Sequence, residues 1–481
     1  MTWGERPPAP PPSEKEQRIA AHHPAGGSGA EPSPLSIPRL RETFSGRVIA
    51  PGDPDYDAAR TVFAGGIDRH PAAIVRVADA SDVARVIALA RETGLELAVR
   101  SGGHSALGHS VSEGGIVLDL ADLRGLEIDA PGRTAWAQTG LTAAEYTNAT
   151  AVHDLATGFG DTGSVGIGGL TLGGGIGFLV RKHGLTIDSL LAADVVTADG
   201  QTLRVDAEHH PDLFWAIRGG GGNFGVATRF LFRLHEVGTV YGGMLILPAT
   251  PEVVAGFIAA ADAAPEEIST IANVMTAPPM PFVPEEAFGR LILMAILVYA
   301  GPPEAGERAV APLRALANPI ADLLRPMRYP EIYMPEDPTY HPVAVGRTLF
   351  MDRVDLPMAE EILSRLEASD APMRVAQLRV LGGAMARVPV EGSPLFDAGA
   401  VDTPRLAALT AVFILAMADC FDGVEVVCSH PPHEDILRAG ANAVVVEVGA
   451  IPRDNTFACA EWRGLTMADA RDLLCRAGYD A

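Results

Sequence analysis

The residues with the clearest capacity for chemistry lie in two glycine-rich stretches. The first is Arg100-Ser101-Gly102-Gly103-His104-Ser105, directly after the apolar run Leu95 to Val99. Adjacent glycines let a backbone bend tightly and lie against a bound group without Cβ interference. His104 has three roles open to it: a structural hydrogen bond, a metal ligand, or a nucleophile toward an activated methyl carbon of a cofactor. Side-chain physics alone ranks the structural role first and the covalent one last. A metal would need partners at ligand spacing, and His109 is the one near neighbour, so no metal site is expected. The second stretch is Gly158 to Gly177, in which half the residues are glycine. Its core, Thr162 to Gly169, supplies backbone N–H groups that no side chain blocks, a surface able to cradle a pyrophosphate. Val165, Ile167, Leu170, Leu172, Ile176 and Phe178 run through it, where a mere linker would be polar. Together the two stretches are expected to hold one large anionic cofactor.

A third stretch, Gly220 to Gly225, matches G-x-G-x-x-G by letter. The dinucleotide fingerprint needs that motif after a strand and opening a helix. Here it follows a predicted helix, Asp212 to Ile217, and precedes a predicted strand, Val226 to Leu234. A nicotinamide site is therefore not expected on this match.

The elements that must position these loops are legible from spacing. Arg47-Val48-Ile49 and Ile74 to Val77 read as strands, with a short helix at Tyr56 to Phe63 between them. Ser81 suits an N-cap, with Asp82 in the first turn. Val83, Val86, Ile87 and Ala90 then recur at helical spacing, up to a stop at Gly94. Leu95 to Val99 is the next strand, which puts the first motif at the end of a β-α-β unit. Ile116 to Leu120, Ala135 to Ala137, Leu191 to Val196 and Thr202 to Val205 read as further strands, and Thr142 to Val152 as a helix. Beyond about Gly238, strand-like segments such as Arg290 to Tyr299 alternate with helical ones such as Met358 to Ala368, which points to a second α+β domain. Leu406 to Ala418 is apolar and helix-like, Ala443 to Val448 a strand candidate and Met467 to Ala477 a helix.

Composition narrows the function. The 481 residues allow two or three domains and a substantial core. A formal net charge of -23 argues against a general nucleic-acid or anionic-membrane binder, since both need basic patches. No apolar run approaches the roughly 18 residues that span a bilayer. Residues 1 to 40 form a Pro/Ala/Gly-rich arm expected to be disordered. They lack the basic start and apolar stretch of a signal peptide, so a cytoplasmic location is expected. The cysteines, Cys420, Cys428, Cys459 and Cys475, match no paired metal-site spacing and read as free thiols. Nothing in the sequence sets an oligomeric state.

Arg100 to Ser105, with Gly108, Ser110, Gly114-Gly115 and Val117 to Leu120, resembles the vanillyl-alcohol-oxidase and p-cresol-methylhydroxylase type of flavoproteins, and above all the berberine-bridge-enzyme-like oxidases. So do Gly166 to Gly177, Arg181 to Leu185 and Phe214 to Gly225. The resemblance is dense over about residues 45 to 238 and weaker to about Pro394. It implies an α+β fold: a two-subdomain FAD-binding domain at 41 to 238, then an α+β substrate domain with an antiparallel sheet at 239 to 396. It implies FAD held by Arg100, Ser101, Gly102, Gly103, His104, Ser105 and Gly108 of the first loop. Thr162, Gly166, Gly168, Gly169, Thr171, Gly173, Gly174, Gly175 and Gly177 of the second loop, and Val196, would complete the cradle. By the same resemblance His104 carries FAD covalently through the 8α-methyl group. Doubly linked members have a cysteine where this chain has Thr162, so a single attachment is expected.

The resemblance further implies oxidation of a C–OH or C–N centre of a small organic molecule, with O2 as acceptor and H2O2 as product. Relatives draw a deprotonating residue from the substrate domain or the end of the chain. Tyr329, Tyr333 and Tyr340 are the available candidates, each also readable as an ordinary tyrosine. Residues 397 to 481 depart from the family, lacking its Tyr-x-Asn and Asp-Pro-x-Asn-x-Phe closing elements; Arg453 to Phe457 is a superficial echo. A divergent, fused or frame-shifted tail is expected there, which leaves open a catalytically impaired flavin-binding scaffold.

Overall fold

The computed structural model describes residues 35–351, 353–388 and 410–417. The cysteines, the expected elements at 443 to 448 and 467 to 477, and the echo at 453 to 457 lie outside the described residues, as does most of the N-terminal arm.

The first sheet holds β1 (Arg47–Ile49), β2 (Ala73–Arg76), β3 (Leu97–Arg100) and β4 (Ile116–Asp119) in the order β1-β2-β4-β3. β2 and β3 both run parallel to β4, so the β-α-β unit brackets β4. The helix between them, Ala80–Thr93, presents Val83, Val86, Ile87 and Ala90 to the core and ends at Gly94 in the left-handed region, φ 69°. Its cap is not Ser81 but Asp79, whose carboxylate accepts the Asp82 N–H at 2.9 Å. Asp82 is then free to accept the N–H groups of Ser45, Gly46 and Ala78 and to pair with Arg85. The helix expected at Tyr56 to Phe63 stops at Arg60, and Thr61 is extended.

The second sheet is antiparallel: β5 (Leu126–Asp129), β6 (Thr134–Gln138), β8 (Leu190–Val196), β9 (Thr202–Asp206) and β10 (Val226–Arg233), in the order β5-β6-β10-β8-β9. A short strand β7 (Leu155–Ala156) pairs separately with β11 (His235–Glu236). The helix Ala143–Thr150 covers the sheet. It is closed by a capping box in which Thr142 accepts the Glu145 N–H and the Glu145 carboxylate accepts the Thr142 N–H. Its Tyr146 packs edge to face with Phe159 and Phe232, as do Phe159 with Phe232 and Phe232 with Phe230, at 4.8–5.7 Å.

The third sheet comprises β12 (Thr239–Pro248), β13 (Ile268–Thr276), β14 (Leu291–Tyr299), β15 (Ala321–Asp322), β16 (Arg325–Arg328), β17 (Ala344–Met351), β18 (Met373–Val380) and β19 (Thr410–Met417). Its order is β15-β12-β14-β13-β18-β19-β17, with β16 also on β12. Helices Pro251–Asp262 and Leu356–Ala368 cover one face. Leu406 to Ala418, expected to be helix-like, contains β19, inserted between β18 and β17. The third sheet therefore runs past residue 396 into the segment expected to be an atypical tail, divergent, fused or frame-shifted. A continuous apolar run has no period that separates a helix from an interior strand.

Arg181 to Leu185 ties the second glycine-rich stretch to the third sheet. The buried Arg181 guanidinium donates to the carbonyls of Ala261 (2.5 Å), Ile268 (3.3 Å), Asp262 (3.2 Å) and Ala264 (3.1 Å). Ala261, Asp262 and Ala264 lie at and just beyond the end of helix Pro251–Asp262, where a cation is favoured, and Ile268 opens β13. Beside it the rings of His183 and His235 stack at 4.0 Å.

Candidate functional site

β3 delivers the first loop. Its last residue, Arg100, stands opposite Asp119 of β4 and turns its guanidinium onto the carbonyls of Ala59 and Thr61, the latter at 2.8 Å. The Ser101 hydroxyl donates to the Thr139 carbonyl at 2.6 Å. Gly102 then meets Gly166 of the second loop. A Cβ on Gly102 would lie 2.2 Å from the Gly166 nitrogen, and a Cβ on Gly166 would lie 2.2 Å from the Gly102 nitrogen. The two stretches singled out from sequence are thus locked backbone to backbone, with no room for a side chain at either position. Gly103 has φ 73°, which turns the chain so that His104 leaves the contact.

His104 is half-buried. Its ring stacks on Phe63 with centroids 4.5 Å apart and planes 19° from parallel. Its Nε2 lies 2.9 Å from the Ser164 hydroxyl. Ser164 in turn donates its N–H to Glu336 Oε1 at 2.9 Å and its hydroxyl to Glu336 Oε2. Burial pushes the imidazole below its ordinary value, only partly opposed by the Glu336 charge, so the ring is neutral near pH 7.

The facing wall comes from β18. Ala376, Leu378 and Val380 point into the helix-covered core, so Gln377 and Arg379 occupy the other face. Arg379 pairs with Asp161 of the second loop and donates to the Ile176 carbonyl at 3.2 Å and to Gln377 Oε1 at 2.8 Å. Gln377 donates to Asn273 Oδ1 on β13 at 3.0 Å. Thr162 donates to Asp161 Oδ1 at 3.0 Å.

Asp161, Ser164, Asn273, Glu336, Gln377 and Arg379 were not singled out from sequence. Only the alternation of polar and apolar residues along Met373–Val380 signals two of these positions, Gln377 and Arg379, locally.

Of the expected site residues, Arg100 to His104, Thr162, Gly166 and Gly168 converge here. Ser105 and Gly108 close the following turn, the Gly108 N–H reaching the Ser105 carbonyl at 3.2 Å. Gly173 caps the short helix Ile167–Leu172 and Gly174 follows it. Gly175 packs against Thr186, where a Cβ would sit 2.1 Å from Oγ1, and Gly177 against its own loop, where a Cβ would sit 2.2 Å from the Phe159 carbonyl oxygen. Val196 is buried at the end of β8, opposite Val226. The tyrosines separate. Tyr329 is fully buried among Phe178, Leu179 and Met327. Tyr340 is 47% exposed. Tyr333 alone packs against the glycine-rich loop, its hydroxyl 3.3 Å from the Phe159 carbonyl, and burial raises its phenol well above the ordinary value.

The loops fit a dinucleotide. Among the described residues the N–H groups of Gly103, His104 and Ser105 have no acceptor, and neither do those of Gly168 and Gly169. The Thr171 hydroxyl is buried without a partner. A Cβ on Gly169 would meet nothing within 4 Å, so this part of the loop borders open space. Rows of unpaired amides beside space are what a pyrophosphate requires. Among the described residues no group of three or more His, Cys, Asp or Glu side chains could hold a metal ion, and no helix is long and apolar enough to cross a membrane.

Comparison with known proteins agrees with this geometry. Residues 71–206 match the FAD binding domain family model. The chain is 33% identical over 308 residues to (R)-6-hydroxynicotine oxidase of Paenarthrobacter nicotinovorans, covering 62% of this chain and 63% of that protein. It is 37% identical over 212 residues to the FAD-linked oxidoreductase pgmH of Aspergillus terreus, covering 44% of this chain and 43% of that protein. The chain thus matches less than two thirds of the length of either relative. The solved 6-hydroxy-D-nicotine oxidase of Arthrobacter nicotinovorans superposes with a TM-score of 0.66 at 26% identity, over 83% of this chain and 87% of that one. The berberine-bridge-enzyme-like protein 1 of Physcomitrella patens shares the fold at 20% identity, with a TM-score of 0.70 over 80% of this chain and 84% of that one. Residues 71–206 are thus an FAD-binding domain, and the chain is similar in sequence to FAD-linked oxidoreductases. The likeness to the berberine-bridge-enzyme-like protein is one of fold.

Proposed function

We propose that the chain is an FAD-dependent oxidase that carries its flavin on His104 and oxidises a C–OH or C–N centre of a small polar molecule, passing electrons to O2 to form H2O2. The observation that carries this reading is the lock between Gly102 and Gly166. It joins the loop that carries His104 to the second loop, both bearing unpaired amides, and Asp161 of the second loop pairs with Arg379 of the large antiparallel sheet, which supports this reading. When bound there, FAD supplies acceptance of a hydride equivalent and its return to O2.

The chain's own residues do the rest. The amides of Gly103, His104, Ser105, Gly168 and Gly169 bind the pyrophosphate. Neutral His104 retains the lone pair that attachment to the 8α-methyl group needs. Thr162 offers no thiol, which leaves one covalent bond. Arg379 and Gln377, held by Asp161 and Asn273, present fixed hydrogen-bonding groups to the substrate. The nicotine-oxidising relatives favour a C–N centre among the two classes.

The test is peroxide release from the purified chain against a panel of amines, alcohols and sugars. Turnover of one class with stoichiometric H2O2 supports the reading. A flavin-loaded chain silent on every class would instead favour a binding scaffold.

A further inference from the structure

Glu336 lies 172 residues beyond Ser164 in the chain, yet it holds that residue twice, at the N–H and at the hydroxyl. We propose that Glu336 and Ser164 form a proton relay that fixes the tautomer of His104 and removes its proton as the flavin bond forms. The proposal rests on the covalent reading above and adds to it the residues that bring the bond about.

The direction of the relay follows from donor and acceptor inventory. A carboxylate is acceptor only, so the single Ser164 hydroxyl proton lies toward Glu336. Ser164 Oγ therefore offers a lone pair to His104 Nε2, 2.9 Å away, and Nε2 carries the ring hydrogen. Nδ1 is then the free nucleophilic nitrogen. Phe63, stacked on the ring, holds its plane while Ser164 holds its rotation. The partial burial of His104 favours the neutral ring on which this tautomer depends.

The balance is complete. Nδ1 bonds to the 8α carbon in place of one C–H bond, whose hydrogen leaves as a proton and whose electron pair enters the flavin ring. The Nε2 proton passes to Ser164 as the Ser164 proton passes to Glu336. O2 then takes up the two electrons and two protons as H2O2. Glu336 acts only through Ser164, and is a positioning and proton-accepting residue.

The test uses full-length chain produced under riboflavin limitation, incubated with FAD. Flavin that survives acid denaturation is followed over time, alongside total flavin bound before denaturation. Glu336→Gln and Ser164→Ala should bind FAD to the wild-type level while attaching it about 10²-fold more slowly, the range set by loss of a positioned base. Ser164→Thr, which keeps the hydroxyl, should attach it near the wild-type rate. The linked peptide should carry the flavin on Nδ1. Attachment at the wild-type rate in Glu336→Gln, or linkage through Nε2, would overturn the relay and leave the covalent reading standing. Loss of all flavin binding in Glu336→Gln would show a structural role and overturn it as well. A wild-type chain without acid-stable flavin would overturn both.

Discussion

The FAD-binding region meets the large sheet at two seams built from opposite materials. At one, Arg181 is buried and donates to four carbonyls around the end of helix Pro251–Asp262, while Ala384 donates its N–H to the Arg181 carbonyl at 2.6 Å. Its polar groups face the protein. At the other, Ser164 meets Glu336 and Asp161 meets Arg379, all on side chains only partly buried or exposed, beside amides that have no acceptor. The same two regions are therefore fastened on one side and chemically open on the other. A site that holds reacting groups to fractions of an ångström needs a fixed seam next to an open one.

Breaking each seam should give different phenotypes. The largest effect belongs to the open seam: His104→Ala should abolish covalent flavin entirely while leaving the fold intact, read as acid-stable flavin and circular dichroism. Next comes the closed seam. Arg181→Met strips charged hydrogen bonds from buried carbonyls, and bonds to charged groups contribute about 1.5–3 kcal/mol each. A drop in thermal midpoint of several degrees is expected, with acid-stable flavin per folded chain unchanged. Gly102→Ala should follow, because its Cβ would sit 2.2 Å from the Gly166 nitrogen. Overpacking of this kind costs about 1–3 kcal/mol, and here it should also weaken FAD binding by parting the loops, measured by titration of flavin-free chain.

A smaller effect concerns acid. Burial, then the neighbouring charges, lowers His183 to about 3 and His235 to about 4, against an ordinary value of 6.5. Below pH 6.5 the unfolded chain binds protons that the folded chain does not, so stability falls as pH drops from 6.5 toward 4 and 3. The slope of thermal midpoint against pH should flatten in His183→Phe. Smallest of all, Tyr340→Phe, at an exposed position, should leave midpoint and turnover within error.

The FAD-type half was legible because its signals are local. Glycine pairs, the Gly94 stop and the alternating strands each lie within a few residues. Even there Asp79 rather than Ser81 took the cap, since either residue suits the position by type and only the contact with the Asp82 N–H decides. The open seam was not legible. Glu336 and Ser164, or Arg379 and Asp161, are joined only by the folding of one region onto another, and no spacing rule links residues so far apart. Among the tyrosines, residue type alone could not separate the buried Tyr329 and exposed Tyr340 from Tyr333 on the loop. β19 was misread because an unbroken apolar run looks alike in a helix and an interior strand.

The most direct measurement is the intact mass and colour of the purified chain after acid denaturation. The account predicts a yellow polypeptide heavier by one FAD, with the added mass on the peptide containing His104. A colourless chain at its unmodified mass, with free FAD in the supernatant, would contradict it.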